Sequence, residues 1–545
     1  MGEETRMRWW GWGEDAHAHA LPPHALSFLR ETVGVGAPRP PVALARVRLP
    51  ACALDDDALS ALGEIVGREA VRADHRERAV HAAGKGYPDL VRLRAGAPLG
   101  APDAVLYPRS HAQVAAVLAW CERSSVALVP FGGGTSVVGG VEPLRGPHRA
   151  VLCLDTAGMK EVLELDRESM SVRVQAGIRA PALERALGAR GLTLGHFPQS
   201  FQYVSLGGCA AARSAGQAST GYGAIEKMVL GLRVAAPAGE IALDAVPASA
   251  AGPSLRQLLV GSEGTLGVIG ELSLRVRPAP AERLYEGVFF ADLAAGVGAL
   301  RELAREHALP DVARLSDEQE TRMSLALAGG GAKAALGRAY LRLRGRSGGC
   351  LAIFGFEGTT EEVRCRRRRA RETIARHDGL ALGRSPGEAW LRGRFDAPYL
   401  RDELLTHRVM VETLETACQW SALRALHRSV GQAIAEALAG CGTPGLVMCH
   451  VSHVYETGAS LYFTFLARQR EGEELEQWRA VKRAAARAIL AGGGTITHHH
   501  GVGLDHAPFM REEVGEVGLG ALAALKRELD PAGIMNPGKL LAGAT

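Results

Sequence analysis

Three segments rich in glycine and small residues carry the clearest binding chemistry in this chain. Pro130-Phe131-Gly132-Gly133-Gly134-Thr135-Ser136 follows an apolar run, Ala127–Val129, that reads as a buried strand. Three successive glycines let the backbone reach positive φ and turn consecutive N–H groups toward one point, a nest that holds an anion such as a pyrophosphate. No Gly-Lys-Ser/Thr follows, so this is not a Walker loop, and no Gly-x-Gly-x-x-Gly marks a Rossmann site. Taken alone, such a loop is also compatible with a plain turn. Phe197-Pro198-Gln199-Ser200, Ser205-Leu206-Gly207-Gly208 and Ala212-Arg213-Ser214-Ala215-Gly216 form a small-residue stretch that would let a large flat ligand approach the backbone. Gly261-Ser262-Glu263-Gly264-Thr265-Leu266-Gly267-Val268-Ile269 is a second glycine turn entering a strand.

Side chains that move protons lie further on. In the strand Ser460–Phe465, a period of two puts Ser460, Tyr462 and Thr464 on one face and Leu461, Phe463 and Phe465 on the other. A tyrosine on the polar face suits a cavity wall, although a core tyrosine with a satisfied hydroxyl fits the same pattern. Its phenol, with a reference pKa of about 10, is a poor base unless nearby cations lower it. His498, His499 and His500 are consecutive, so from a strand they cannot all face one metal. A loop could relax that limit, but no carboxylate or cysteine partner is evident nearby; proton relay and substrate contact are therefore expected, and no metal. Arg364-Cys365-Arg366-Arg367-Arg368-Arg369-Ala370-Arg371 is the densest positive run. It reads as a solvated helix face, with contact to anionic headgroups as the alternative.

The elements that must position these groups alternate short apolar runs with amphipathic segments, the pattern of an α+β chain. Helices are expected at Ser110–Cys121, Ala182–Leu187 after Pro181, Thr360–Arg376 and Glu473–Leu490, and strands at Ser171–Gln175, Leu351–Phe356 and Ser460–Phe465. A first domain ends near Pro278, and the tail from Gly492 is expected to return to it. The first forty residues, with Trp9, Trp10 and Trp12, read as an arm lying on the main body. At 545 residues the chain is too long for one core. A net charge of +4 is too small to imply a nucleic-acid binder, and none is expected. Only seven of the 63 basic residues are lysine, a bias of base composition that makes single arginines weak evidence. Nine scattered cysteines without a Cys-x-x-Cys pair argue against disulfides, zinc ribbons and iron–sulfur ligation. With neither a signal peptide nor a run of about 18 apolar residues, a reduced, soluble, cytoplasmic protein is expected.

Together, the Pro-x-Gly-Gly-Gly-Thr-Ser loop, the Leu-Gly-Gly segment and Gly-Ser-Glu-Gly-Thr-Leu-Gly-Val-Ile resemble the FAD-binding domain of the vanillyl-alcohol-oxidase (PCMH-type) flavoproteins. Met7-Arg8-Trp9-Trp10-Gly11-Trp12-Gly13, Tyr399-Leu400-Arg401-Asp402-Glu403, Val411-Glu412-Thr413-Leu414-Glu415-Thr416-Ala417, Ser452–Phe465, His498–Gly503 and Leu529–Gly538 narrow the resemblance to the alkyldihydroxyacetonephosphate synthases and their bacterial relatives. The resemblance implies an α+β fold in four parts: an N-terminal arm and helical region (1–95), a PCMH-type FAD-binding domain of two α+β subdomains (96–280), an α+β cap for substrate (281–490) and a returning C-terminal segment (491–545). It further implies non-covalent FAD, a lipid-like phosphate substrate, a fatty alcohol, a homodimer and a cytoplasmic location with peripheral membrane contact. In that family the flavin N5 forms a transient adduct from which the acyl chain leaves and to which the alcohol adds, without net redox change. By match, Arg401 takes the substrate phosphate, which a guanidinium can grip bidentately. An ion pair with Asp402 or Glu403 is the plain alternative. Tyr462 and the three histidines handle protons. One departure stands at Ala248, in Pro247–Pro253, where relatives often carry arginine. A D-2-hydroxy-acid dehydrogenase shares the FAD domain, but its His-x-Gly-Asp-Gly-Asn pattern is missing from Cys449–Tyr455. A non-catalytic flavoprotein is disfavoured by the joint presence of Arg401, Tyr462 and the histidines.

Overall fold

The computed structural model describes residues 7–17, 20–327, 332–346 and 348–541. The glycine loop grows from a four-stranded sheet ordered Val71–Arg72, Ala104–Leu106, Ala150–Asp155, Val126–Phe131. Its last three strands run parallel. Strands buried on both faces carry continuous apolar sequence, and Val126–Val129 and Ala150–Leu154 do so. Helix His111–Ser124 starts where Ser110 accepts a hydrogen bond from the Gln113 amide, and it buries Val114, Val117, Leu118 and Cys121 against this sheet. A second, five-stranded antiparallel sheet contains Ser171–Gln175 and Val268–Arg275, the strand that the second glycine turn enters.

Residues beyond Pro278 build a seven-stranded antiparallel sheet. Its order is Leu380–Gly383, Glu282–Phe290, Cys350–Gly358, Val312–Ser316, Leu446–Val454, Gly458–Arg468, Val409–Gln419. Helices Leu293–Arg305, Thr360–Arg376, Trp420–Gly440 and Glu474–Ala491 cover one face, burying Leu300, Ile374, Leu426 and Val481 against Leu461, Phe463 and Phe465. Strand alternation sends the opposite side chains toward the glycine loops. Register then sets three rows across the last three strands: Glu415–Tyr462–His450, Thr413–Thr464–Met448 and Val411–Leu466–Leu446. The cavity-side face of the sheet therefore grades from ionisable to apolar along the strands.

The arginine run sits on helix Thr360–Arg376, opened by a Thr359/Glu362 capping box. Arg366 pairs with Asp311 at 2.8 Å, and Arg367 and Arg371 share the buried Glu286 at 2.8 and 3.1 Å. Part of the run thus fastens the helix to the sheet rather than facing solvent.

The N-terminal arm closes over the cavity, and the C-terminal segment returns to the parallel sheet. Within the first forty residues, helix Pro23–Thr32 buries Ala25 and Leu29 against Val411, Met448 and Leu466 at the apolar end of the sheet face. At the other end, Ile534 and Met535 pack on the parallel sheet, where Leu128 exchanges backbone hydrogen bonds with Ile534 and Asn536 at 2.8 Å each.

Candidate active site

The glycine loops, the sheet face and the chain ends enclose one cavity of about 550 Å³. Pro130 through Ser136, Gln199, Ser200, Ser205, Gly207, Gly208, Ala212, Ser214, Ala215, Glu263, Gly264, Gly267, Val268 and Ile269 all line it. A Cβ on Gly132 would overlap the Ser205 hydroxyl, and one on Gly133 would overlap the Tyr203 carbonyl. Arg179 clamps the loop through its bonds to the Gly132 and Tyr203 carbonyls. Among the described residues, the amides of Gly133, Gly134 and Thr135 donate to no backbone acceptor. Free N–H groups at the carboxyl end of a parallel strand fit a cofactor pyrophosphate. Three residues of the expected set lie elsewhere. Arg213 turns outward to Glu226 and Gln257 at φ 54°, Thr265 satisfies its hydroxyl on the Ser262 carbonyl, and Leu266 packs in the core beneath.

Arg401 lines the cavity from helix Ala397–Thr406. One of its nitrogens donates to the Lys85 carbonyl at 2.6 Å, while Nε and Nη2 are buried without a partner. Neither Asp402 nor Glu403 pairs with it directly. Asp402 instead receives the Trp12 amide, and Tyr399 meets Tyr203 at 3.1 Å, so the aromatic N-terminal motif holds the helix that carries Arg401. Buried donors left unpaired are costly, about 1–3 kcal/mol each, and mark a place for an anion.

Tyr462 is sandwiched between rings. His450 stacks on it at 4.9 Å, His499 lies nearly parallel at 6.0 Å, and His500 meets it edge-on at 5.6 Å. Burial pushes its phenol up to about 12, and the Arg314 charge offsets only a small part of that rise, so the phenol is not prepared as a base. Behind it, His450 contacts Glu320 and Arg314 at 3.0 Å each. Burial opposes ionisation of Glu320, yet His450 and Arg314 hold its carboxyl far below the usual range.

The histidines occupy a loop, and the expectation that no carboxylate lies nearby is overturned. Glu415, fully buried on the adjacent strand, accepts the amides of His498, His499 (3.1 Å) and His500 (2.7 Å), plus the Thr497 hydroxyl at 2.9 Å. Burial raises the pKa of its carboxyl, but His500, His498 and these amides lower it further, for a net shift below the ordinary value. Burial keeps all three imidazoles below their usual pKa, so at neutral pH each ring is neutral, with one donor and one acceptor nitrogen. His499 and His500 face the cavity; His498 lies behind them.

Two triads have donor atoms close enough for a cation: His453/His498/His499 and Glu415/His499/His500. Both ring nitrogens of His453 are already engaged, by the Ser452 and Ser460 hydroxyls and the Gly216 carbonyl. Those of His498 meet His499 and Tyr455. Hydrogen bonds thus account for these nitrogens without a metal. Glu263 anchors the loop from the other side, accepting the Val502 and Gly503 amides; burial pushes its carboxyl up to about 7.

Residue patterns gave no role to Glu415, His453 and Tyr455, although each lies in a matched segment, and gave none to His450, Arg314 or Glu320. Glu415 carried a readable signal, because an acid at an alternate position of the apolar strand Val409–Gln419 demands a partner.

The chain matches the FAD binding domain family over residues 102–243 and the C-terminal domain family of FAD linked oxidases over 279–540. Fold and site thus define a flavoprotein of the FAD-linked oxidase type. The chain is 34% identical to the alkyldihydroxyacetonephosphate synthase of Dictyostelium discoideum, over 86% of this chain and 78% of that protein. Identity to the synthase of Trypanosoma brucei brucei is 33%, over 98% and 92%. A solved alkyldihydroxyacetonephosphate synthase superimposes with a TM-score of 0.85 at 29% identity, covering 98% of both chains. This chain belongs to the alkyldihydroxyacetonephosphate synthase family.

Proposed function

We propose that the protein exchanges the acyl chain of acyl-dihydroxyacetone phosphate for a fatty alcohol, forming an ether lipid precursor. One observation carries the reading: a half-buried guanidinium with two unpaired nitrogens lies on the same cavity as the apolar side chains of Val411, Met448, Leu466, Leu29 and Leu404. A phosphorylated headgroup with a long chain matches that polarity, and a small hydroxy acid would leave the apolar wall without a ligand.

FAD, cradled by residues 130–136, 199–215 and 263–269, would supply the reactive ring for an exchange with no net redox change. The chain's own residues bind, orient and move protons. Arg401 grips the phosphate, and the Leu29, Leu404 and Val411 wall desolvates first the acyl and then the alkyl chain. Tyr462, held as a neutral phenol, donates to oxygen at the reacting carbon rather than abstracting a proton. His499 and His500, neutral and facing the cavity, accept protons that the phenol cannot.

The decisive assay incubates the purified yellow protein with palmitoyl-dihydroxyacetone phosphate and hexadecanol, without an electron acceptor. Hexadecyl-dihydroxyacetone phosphate should appear together with palmitate. Flavin bleaching by D-lactate or D-2-hydroxyglutarate, with no ether product, would replace this reading by the dehydrogenase one. Among the described residues no helix is long and apolar enough to cross a membrane. The lipid nature of both substrates supports a peripheral membrane contact, checked by liposome flotation; the homodimer is checked by sizing.

A further inference from the structure

The proposed exchange has an unpaired proton. Ester plus alcohol gives ether plus carboxylic acid, and the acid ionises at neutral pH because its pKa lies near that of an ordinary carboxyl, about 4. Each turnover therefore releases one proton, which originates on the alcohol O–H in the cavity, where the substrate chains cover the apolar walls. That proton needs an exit.

We propose that His499, His498 and Tyr455 form this exit, a hydrogen-bonded relay from the reaction cavity to a separate surface recess behind the histidine loop. The inference rests on the ether-forming reading for its purpose but not for its geometry. His499 lines the cavity. Its Nδ1 lies 2.9 Å from Nδ1 of His498, and the opposite nitrogen of His498, Nε2, lies 2.6 Å from the Tyr455 hydroxyl. Tyr455 is only partly buried and lines the second recess with Thr495, Glu512 and Glu513. Gln419, Thr457 and Glu512 at its rim are exposed. The relay thus touches one void at each end.

Its chemistry suits transfer. A neutral imidazole takes a proton on one nitrogen while releasing one from the other, and a phenol accepts and donates through the same oxygen, so neither group must become a stable ion. Two neutral rings meeting nitrogen to nitrogen require one donor and one acceptor. Passing a proton along the row reverses every tautomer, and the row resets when the rings and the Tyr455 hydroxyl reorient, while the released proton stays in the recess water. Glu415, bonded to all three loop amides, holds the backbone still while the rings change roles.

The test uses FAD-loaded protein with ¹⁵N-labelled histidine, first without substrate. Exchange of the His498 and His499 ring N–H protons with water should slow on the order of 10²-fold in Tyr455→Phe and recover on adding free imidazole. Imidazole is small enough to enter the recess and meet Nε2 of His498. Wild-type exchange should be insensitive to it. Should Tyr455→Phe lose its flavin, Ala422→Phe, at a half-buried position in the first turn of helix Trp420–Gly440, blocks the recess and should slow exchange likewise. Unchanged exchange in the folded variant, or slowed exchange that imidazole does not restore, overturns the relay. With substrates, the ether-forming rate of Tyr455→Phe should fall and recover with imidazole in parallel. If exchange behaves as stated but wild type forms no ether, the relay stands and the assigned reaction fails.

Discussion

Glu415→Gln is the sharpest perturbation of the histidine loop, because it changes one atom and removes one charge. Oε1 of Glu415 accepts from Thr497 Oγ1, His499 N and His500 N, and Oε2 accepts from His498 N. Glutamine can set its oxygen at the three-donor position, which leaves its NH₂ facing the His498 amide, donor against donor. Hydrogen bonds to a charged acceptor are worth about 1 kcal/mol more than those to a neutral one, so three retained bonds lose roughly 3 kcal/mol. The orphaned His498 amide adds about 1–3 kcal/mol, for a local cost of about 4–6 kcal/mol. A cost of that size opens the loop rather than the whole fold, since the backbone from 498 to 500 is otherwise irregular. Hydrogen–deuterium exchange should show lost protection confined to peptides covering 495–503, while FAD content stays at the wild-type level and the exchange reaction slows on the order of 10²–10³-fold. The acid limb should change too. Glu415 is shifted below its unfolded value of about 4.3, so its contribution is complete above that pH and disappears as pH falls through the lowered folded value. The variant should lack that part of the acid sensitivity. Wild-type protection of 498–500 together with a wild-type rate in Glu415→Gln would refute the anchoring role.

Arg401→Lys should keep its flavin colour and lose most activity, with KM for the phosphorylated substrate rising on the order of 10²-fold, as a point charge replaces a planar fork; loss of FAD in that variant would contradict the phosphate role. Gly132→Ala must displace the Ser205 hydroxyl, so absorbance at the flavin bands of the purified protein should drop sharply while the far-UV spectrum stays native. Val411→Phe fills the apolar end of the cavity beside Leu29 and Leu466 and should shift alcohol preference from hexadecanol toward shorter chains, read from product ratios in mixed-alcohol assays.

Local patterns carried far in this chain. Helix Thr360–Arg376 and strand Ser171–Gln175 end where periodicity and capping put them, because their boundaries are decided within a few residues: the Thr359/Glu362 box at one, a turn at the other. Tyr462 could be assigned to a cavity face because strand alternation is a local rule. The loop sets at 130–136 and 263–269 were legible for the same reason, since glycine spacing encodes backbone shape. Thr265 and Leu266 show the limit of reading a motif whole, because the middle of the turn points away from the cavity that its two ends line. What could not be read depends on pairings across long stretches of sequence. Glu415 meets its donors more than eighty positions away, and His450 meets Arg314 and Glu320 only because strands Val312–Ser316 and Leu446–Val454 pair. No spacing rule links them; only the sheet does.

That dependence has a mechanical consequence for the site. The histidine loop belongs to neither sheet, yet its backbone is held at one end by Glu415 from the cap sheet and at the other by Glu263 from the second glycine turn. Glu263 lines the cavity beside Gly264 and Gly267, so whatever orders that turn also orders Val502 and Gly503. The two carboxylates differ in state. Amides and histidines hold Glu415 below its ordinary pKa, whereas burial lifts Glu263 to about 7, near the pH at which the enzyme would work. An ionised Glu263 accepts both amides strongly, and a protonated one keeps a single good acceptor oxygen. Lowering pH from 8 to 6 in the protein without substrate should therefore loosen 501–503 before 498–500. The order should invert only if Glu415 is removed. Hydrogen–deuterium exchange at the two pH values, corrected for intrinsic rates, reads this directly, and equal loosening of both ends would mean that the loop moves as one unit and that the two carboxylates are not independent anchors.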